Sequence, residues 1–434
     1  MNTDIAFAKL EQCHSDEIVG QHMLGFTNKS WLEAYQSLGP VFKIQLGEEE
    51  HIVIGGHEAD RDAWRQADAW NYTDTDSGTF FRNEMGDDHL TQLRGDAHRR
   101  ARKLVLPAFG IKALQRDFPS ILTALQAAFD DSLGEGDLFQ IANFAYAKAL
   151  AQSQLKSGLT DLALKQLAKF EDWFIAGLRI PPEQQAIFHQ TPGYLKIKQQ
   201  AFEVFGQVVK QRLDGERPGD SLDMLLDRTV AGMAPLSETE LQKAVYLLSV
   251  AGIGNIANIL VAAVWLLNQH PEWKDKLEQE LKAQPLENMI DGMAKFPIMK
   301  AVISEVERYY LPAPVIQKIT TTNVDIVGTT IAEGQSVLHI HGLAHYDPTL
   351  YPDPFTFNPG RWLDEAPEKP RAFGGGKHLC LGMGVARLLS PLSLGILIRD
   401  FQVEPITAPK SVTLAPTIET SPTTTSSPVR VKLK

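Results

Sequence analysis

Among the residues able to do redox or metal chemistry, Cys380 has the most telling surroundings: Phe373-Gly-Gly-Gly-Lys-His-Leu-Cys380-Leu-Gly382. A cysteine thiolate ligates ferric iron strongly and pushes electron density onto the metal, which favours O–O cleavage. Such a thiolate needs surrounding N–H donors to tune its charge. Closely spaced glycines let the backbone approach the sulfur with no Cβ in the way. A solitary cysteine is most often a small buried hydrophobe. The joint spacing of Phe373, Gly376, His378, Cys380 and Gly382 points instead to a metal-ligating loop.

Other constellations are weaker singly. Glu305 and Arg308, three residues apart, share a helix face and can pair. That pattern is cheap, since Glu368 and Arg371 also fit it. His98 and Arg102, four apart, share a face too; the bland reading is a solvated basic helix. Gly252-Ile-Gly254-Asn255-Ile-Ala257 matches a dinucleotide-binding fingerprint, which must follow a strand and open a helix. Here the helix is capped at Ser237, well before it, so that reading is set aside. His339 and His341 alternate along a strand, with His345 nearby, which would suit zinc. No carboxylate sits at a telling spacing, so packing and polar contacts are the default.

The elements that hold these residues come from a chain of 434 residues, 44% hydrophobic, enough for a large core. Its net charge of −11 argues against bulk nucleic-acid binding. Two cysteines, Cys13 and Cys380, are too few for a disulfide framework and fit a reducing compartment. The first twenty residues show neither signal peptide nor membrane anchor, so a soluble cytoplasmic protein is expected. Residues 244–269 carry no charge and match a membrane span in length. Their two glycines, Ser249 and three asparagines favour a buried core helix.

Residues 30–40 read as a helix ending in a Gly-Pro turn, and 41–47 and 51–56 as strands. Residues 71–97 read as a polar irregular loop, and 97–270 as predominantly helical. Ser237-Glu-Thr-Glu240 is a capping box. It predicts one helix running to about Gln269, about 50 Å long. Further helices are expected at 274–283 and after Cys380, β structure at 315–341, coil at 346–378, and a closing strand in Pro-Val-Arg-Val-Lys-Leu. The fold class is mainly α with a minor β portion. One domain is expected over 1–434, helix-rich at about 97–310 and 380–400 and β-rich at about 40–60 and 315–341.

The Cys380 segment resembles the haem-binding loop of the cytochrome P450 family, F-x-x-G-x-x-x-C-x-G, at all four defined positions. The resemblance runs from about Trp31 to the C-terminus. It implies the family's fold, with haem b (iron protoporphyrin IX) between the long central helix and the Cys-loop helix. By that resemblance Cys380 is the axial iron ligand, His378 contacts a propionate, and Phe373 packs near the sulfur, with Gly382 closing the motif. His98 and Arg102 would serve the propionates. Lys318 stands where many relatives carry a propionate-binding arginine, but lysine cannot fork. Glu305, Arg308 and Arg361 resemble the structural Glu-Arg-Arg cluster that locks the haem-side meander.

One segment departs from the family. Its mid-helix Ala/Gly-Gly-x-Asp/Glu-Thr reads Ala251-Gly252-Ile253-Gly254-Asn255 here. The small pair is kept, but the acid has become Gly254 and the alcohol Asn255. In the family those two relay protons to bound dioxygen. Gly252, Gly254 and Asn255 are therefore the catalytic candidates, the glycines suggesting a demand for space and Asn255 a water or substrate contact.

The resemblance implies an oxidoreductase that monooxygenates a small lipophilic or natural-product substrate with dioxygen. Electrons would come from a ferredoxin or flavodoxin-type donor. In the family the regions of Arg99, Arg100 and Lys103 and of Lys369, Arg371 and Lys377 lie on the face where electron donors dock, so the resemblance implies a basic patch that would steer an acidic donor. Substrate contacts are expected from 71–97, 170–205, Ala251 to Asn255, Ala313 to Gln317 (Ala313, Val315 and Ile316 among them) and Ile418 to Thr424. The missing acid–alcohol pair keeps oxidative coupling, desaturation and peroxide-driven oxidation open. A haem gas sensor is the non-enzymatic alternative.

Overall fold

The computed structural model describes residues 5, 29–46, 49–156, 158–179, 182–215, 217–228, 232–363, 367–369, 371–411 and 425–434. Along the chain run α1 (Lys29–Leu38), β1 (Val41–Leu46), β2 (Glu49–Gly55), α2 (His57–Arg65), β3 (Trp70–Asn71), α3 (Asp76–Met85), α4 (Gly95–Val105) and α5 (Ile111–Asp130). Next come β4 (Gly134–Asp137), α6 (Leu138–Gln154), α7 (Asp161–Arg179), α8 (Pro182–Phe188), α9 (Pro192–Leu213) and α10 (Ser221–Leu226). Then follow α11 (Glu238–Ser249), α12 (Ile253–Gln269), α13 (Pro271–Ala283), α14 (Pro297–Tyr309) and strands β5 (Ile316–Thr320), β6 (Val324–Ile326), β7 (Thr329–Ile331) and β8 (Ser336–Ile340). The chain closes with α15 (Met383–Asp400), β9 (Phe401–Pro405), β10 (Lys410–Ser411), β11 (Thr425–Ser426) and β12 (Pro428–Leu433). The mainly α class with a minor β portion is what the sequence predicts.

These elements fall into two compact units, the first holding residues 1–79, 297–380 and 408–410. Its five-stranded sheet has the order β1-β2-β8-β5-β3. Alternation sorts its apolar residues between two faces. Phe42, Ile44, Val53 and Ile340 pack with Trp31 and Leu32 of α1. Val41, Ile52, Ile54 and Val337 pack with Ala59 and Ala63 of α2 and with Val324, Ile326 and Ile331 of the β6–β7 hairpin. In the register, Lys318 lies opposite Val337 and Ile316 opposite His339, so Lys318 and His339 are diagonal neighbours on one face.

The second unit comprises residues 80–296, 381–407 and 411–434 and holds most of the helices. Within it α5 packs on α6, α12 on α6 and α15, and both α7 and α11 on α9. The closing Pro-Val-Arg-Val-Lys-Leu forms β12, the centre of a three-stranded sheet ordered β4-β12-β9. Glu238–Gln269 is long and apolar enough to cross a membrane, but 78% of its apolar window is buried inside the protein. The core-helix reading therefore fits.

Two expectations are corrected. The stretch 71–97 contains α3, whose Phe80 and Met85 are buried. Its polar composition hid the helix, although Asp76 at the start and Arg82 near the end suit the helix dipole. The predicted single long helix is instead two, α11 and α12, broken at Val250 to Gly252. The capping box at Ser237 forms as expected, with Glu240 N–H donating to Ser237 Oγ at 3.2 Å and Ser237 N–H to Glu240 Oε2 at 2.8 Å.

At the break Val250 and Ala251 N–H both donate to Tyr246 O at 3.1 Å, and Gly252 takes φ +78°, ψ +7°. This left-handed conformation explains Gly252 better than a demand for space. A Cβ there would meet only Asn255 Nδ2, at 3.9 Å. A Cβ on Gly254 would sit 3.7 Å from Phe139, an ordinary contact. Gly252→Ala is expected to cost about 1–2 kcal/mol. Gly254→Ala should instead gain up to about 1 kcal/mol from helix propensity. Urea unfolding of the two variants checks this, and equal effects would contradict the assigned roles.

Candidate functional site

The Cys380 loop belongs to the first unit and is shaped by its glycines. Gly374 and Gly376 have φ +69° and +60°, conformations that favour glycine. A Cβ on Gly375 would lie 2.9 Å from the Trp64 ring of α2, so the loop lies flat on that indole. Cys380 N–H donates to Phe373 O at 3.0 Å, closing the loop and setting Phe373 beside the cysteine backbone. Cys380 is exposed. The His378 ring lies 4.5 Å from that of Tyr72, centroid to centroid. Gly382 is the residue before α15.

Beneath Trp64 lies a buried polar hub that the sequence did not reveal. Lys318 is fully buried, with Nζ 2.7 Å from His339 Nδ1 and 4.3, 4.9 and 5.7 Å from the rings of Trp64, Trp70 and Tyr72. Burial pulls its ammonium down to about 7, against the attraction of Asp60. Asp60, on α2, accepts from Trp64 Nε1 at 3.1 Å and pairs with Arg371 Nε at 3.2 Å. Burial pushes the Asp60 carboxyl up despite these cations. His341 and His345 are held down to about 3 by burial, so both are neutral imidazoles.

This hub corrects one part of the zinc reading. A carboxylate does join His339 and His341: ligand atoms of Asp60 and both histidines lie within 4.8 Å of one another. It comes from α2, far away in sequence. The Lys318 ammonium against His339 and the Arg371 guanidinium on Asp60 already supply positive charge there, which opposes a metal cation.

The Glu305–Arg308–Arg361 group is also within the first unit. Arg308 donates to both Glu305 oxygens at 3.0 and 2.8 Å, and to the carbonyls of His345 and Pro354 at 2.9 Å each. Arg361 Nε shares the same carboxylate at 3.1 Å. Trp362 Nε1 adds a donor at 2.8 Å and Asn358 N–H another at 2.9 Å. Glu305 and Arg308 are fully buried, so these bonds tie α14 to 345–362. The competing Glu368–Arg371 pair does not form this way, since Arg371 goes to Asp60 and Glu368 to His57 at 3.2 Å.

Among the expected substrate contacts, Ala313 is exposed and its carbonyl accepts from His341 Nε2 at 2.7 Å. Val315 packs against the α1 side of the sheet, and Ile316 pairs with His339. Residues 418–424 lie outside the described residues, as does Cys13.

In the second unit, His98 is buried on α4 and Arg102 is half-buried one turn on, so they share a face. Half-buried Asn255 lies in the first turn of α12. The break that precedes α12 has a partner that sequence reading missed. Glu171 of α7 accepts from Gly252 N–H at 2.7 Å and from Tyr246 Oη–H at 2.8 Å. It is 1% exposed, and burial pushes its carboxyl up to about 7 despite both donors. One signal was present: Glu171 interrupts the apolar stripe of Leu167, Phe170 and Phe174.

The Glu171 shift predicts a pH dependence. Its proton is held more tightly in the folded state, so stability falls as pH rises from about 4.5 to about 7 and is level above that. Neighbouring Asp172, also pushed up to about 7 chiefly by burial, acts in the same sense. Glu171→Gln is expected to flatten the loss by about 3 kcal/mol. Urea unfolding at pH 5 and pH 8 checks the sign.

Haem b offers iron, which needs one protein ligand, and two propionates, which need cationic or N–H donors. The chain fits. Cys380 presents an exposed thiol on a loop with no room for side chains at Gly375, and Lys318 has three ammonium donors with one hydrogen-bonded partner among the described contacts.

A mainly helical chain with such a cysteine loop is the architecture of a haem-thiolate oxidoreductase. The cytochrome P450 family model matches residues 175–431, and the chain belongs to that family. It is similar to the biotin biosynthesis cytochrome P450 of Bacillus subtilis, 26% identical over 302 residues and covering 70% of each chain. It is also similar to the cyclooctat-9-en-7-ol 5-monooxygenase of Streptomyces melanosporofaciens, 25% identical over 340 residues and covering 73% of each. The structure of retinoic acid-bound cyanobacterial CYP120A1 shares the fold, with TM-score 0.78, 23% identity and 93% of each chain covered. The protein is thus an oxidoreductase enzyme of the P450 monooxygenase family, with haem b as cofactor.

Proposed function

We propose that this P450 inserts one atom of dioxygen into a small lipophilic substrate of natural-product type, with Cys380 as the iron ligand. The observation that carries the assignment is the loop geometry: an exposed Cys380 thiol, its own N–H turned back to Phe373 O, on glycines that leave no side chain between loop and Trp64. The relative acting on cyclooctat-9-en-7-ol supports the substrate class. His378, Lys318, His98 and Arg102 hold the propionates. When bound, haem supplies the electron-rich iron at which dioxygen is activated. Ala251, Asn255, Ala313, Val315 and Ile316 contact substrate, and the segment from Gly252 to Asn255 handles the oxygen side. The protein works in the cytoplasm as a soluble enzyme.

A small ferredoxin or flavodoxin is the proposed electron donor, but the basic cluster is largely neutralised. Arg99 pairs with Asp96, Arg100 with Glu240, Arg371 with Asp60 and Lys377 with Asp68. Steering by these charges is correspondingly weaker than their count suggests.

A second reading, oxidative coupling or desaturation, is favoured by Gly254 and Asn255 standing in for the acid–alcohol pair. Turnover with a surrogate ferredoxin and reductase, followed by product mass, decides. Gain of one oxygen supports monooxygenation; loss of two hydrogens without oxygen gain supports the second reading and overturns the first.

A further inference from the structure

We propose that Glu171 is the proton-bearing carboxyl that serves oxygen activation in this enzyme, delivered to the α11–α12 break from α7 in place of an acid on the helix itself. The inference deepens the monooxygenase reading and rests on it.

Geometry carries the argument. The helix segment at Ala251 to Asn255 contains no acid and no alcohol, so it has no side chain of its own that readily exchanges a proton near neutrality. Glu171 sits against that segment, with one oxygen on Gly252 N–H at 2.7 Å and the other on Tyr246 Oη at 2.8 Å. A carboxylate has about four lone-pair sites, so these two donors leave sites on which a proton can reside.

A purely structural cap does not require this side chain. A glutamine would accept the Gly252 N–H without the cost of burying an ionisable group. A carboxylate at a helix N-terminus is also ordinarily favoured in its charged form. Here burial outweighs that preference, which leaves the group able to both hold and release a proton near neutral pH.

The charged and titratable neighbours are few among the described residues. Tyr246 reaches it from α11, Tyr194 feels it from α9, and Asp172 adjoins it on α7. The His89 ring lies 6.2 Å from that of Tyr246 and is held down to about 4 by burial, so it is neutral. No cation within this group pins Glu171 in its ionised form.

The overall reaction consumes substrate R–H, dioxygen, two electrons and two protons, and yields R–OH and water. The redox partner supplies the electrons. Solvent supplies the protons, which pass one at a time through the Glu171 carboxyl, reprotonated between transfers.

The test compares wild type with Glu171→Gln, using haem content and substrate-induced spectral shift to show that both fold and bind. With dioxygen and reductase, product formed per electron pair should fall on the order of a hundredfold in Glu171→Gln, the excess leaving as hydrogen peroxide. Turnover driven by added hydrogen peroxide, which carries its own protons, should stay within the same order of magnitude. Equal losses under both drives, or no change in coupling, overturn the proposal.

A second readout needs no turnover. The infrared carboxyl band of protonated Glu171 should titrate near neutrality in wild type, be absent from Glu171→Gln, and persist in Asp172→Asn. Absence of any Glu171-dependent band overturns the proposal. If wild type forms no oxygenated product under either drive, the monooxygenase reading fails, and the band alone decides whether Glu171 carries the proton.

Discussion

Arg308→Ala is expected to destabilise the protein by about 3–5 kcal/mol, the typical cost of removing one partner of a buried ion pair. Arg308 is fully buried, and its guanidinium serves Glu305 and the carbonyls of His345 and Pro354 at once. Deleting it strands those carbonyls and leaves the buried Glu305 carboxylate with only one guanidinium, that of Arg361. Against a total stability of roughly 5–15 kcal/mol, such a loss removes much of the folded population. Arg308→Lys should recover only part of it, since an ammonium cannot span the fork of contacts. Denaturant unfolding and haem content of purified protein check this. A loss below about 1 kcal/mol would show that the cluster does not hold α14 to the following segment.

Cys380→Ala is expected to abolish monooxygenation while leaving the fold nearly untouched. The side chain is exposed, and the loop is closed by its backbone N–H to Phe373 O, which alanine keeps. The stability change of the haem-free protein should therefore stay within about 0.5 kcal/mol, while the haem-loaded protein also loses what iron ligation contributes. Oxygen activation depends on electron donation from the thiolate, so activity should fall by orders of magnitude. Cys13→Ala, removing the only other cysteine, is the control and should behave as wild type. Thermal unfolding and product formation measured on the same preparations separate loss of ligand from loss of fold.

What was legible in the sequence was local or carried by fixed spacing. The Ser237–Glu240 capping box could be read because both partners lie within one turn and bond reciprocally. Glu305 and Arg308 could be read for the same reason, while Arg361 needed the family pattern to place it. The Cys380 loop carries its own glycines.

What was hidden depends on partners distant in sequence or on a single backbone angle. Asp60 meets His339 only through the packing of α2 on the sheet, and nothing in the spacing announces it. The break before α12 turns on φ at Gly252, in an uncharged, largely apolar run that reads as one helix. Glu171 reaches that break from 81 residues away, and its only sequence trace is a charge on an apolar stripe. Both the break and its carboxyl partner bear on the segment where this chain departs from the family, and both depend on tertiary packing rather than on local sequence.

The most direct test is the visible spectrum of the reduced carbon monoxide complex, recorded for wild type, Cys13→Ala and Cys380→Ala. If Cys380 is the iron ligand, the first two show the red-shifted Soret band of thiolate ligation and the third does not. Persistence of that band in Cys380→Ala, or its absence from wild type carrying a full complement of haem, would contradict the assignment.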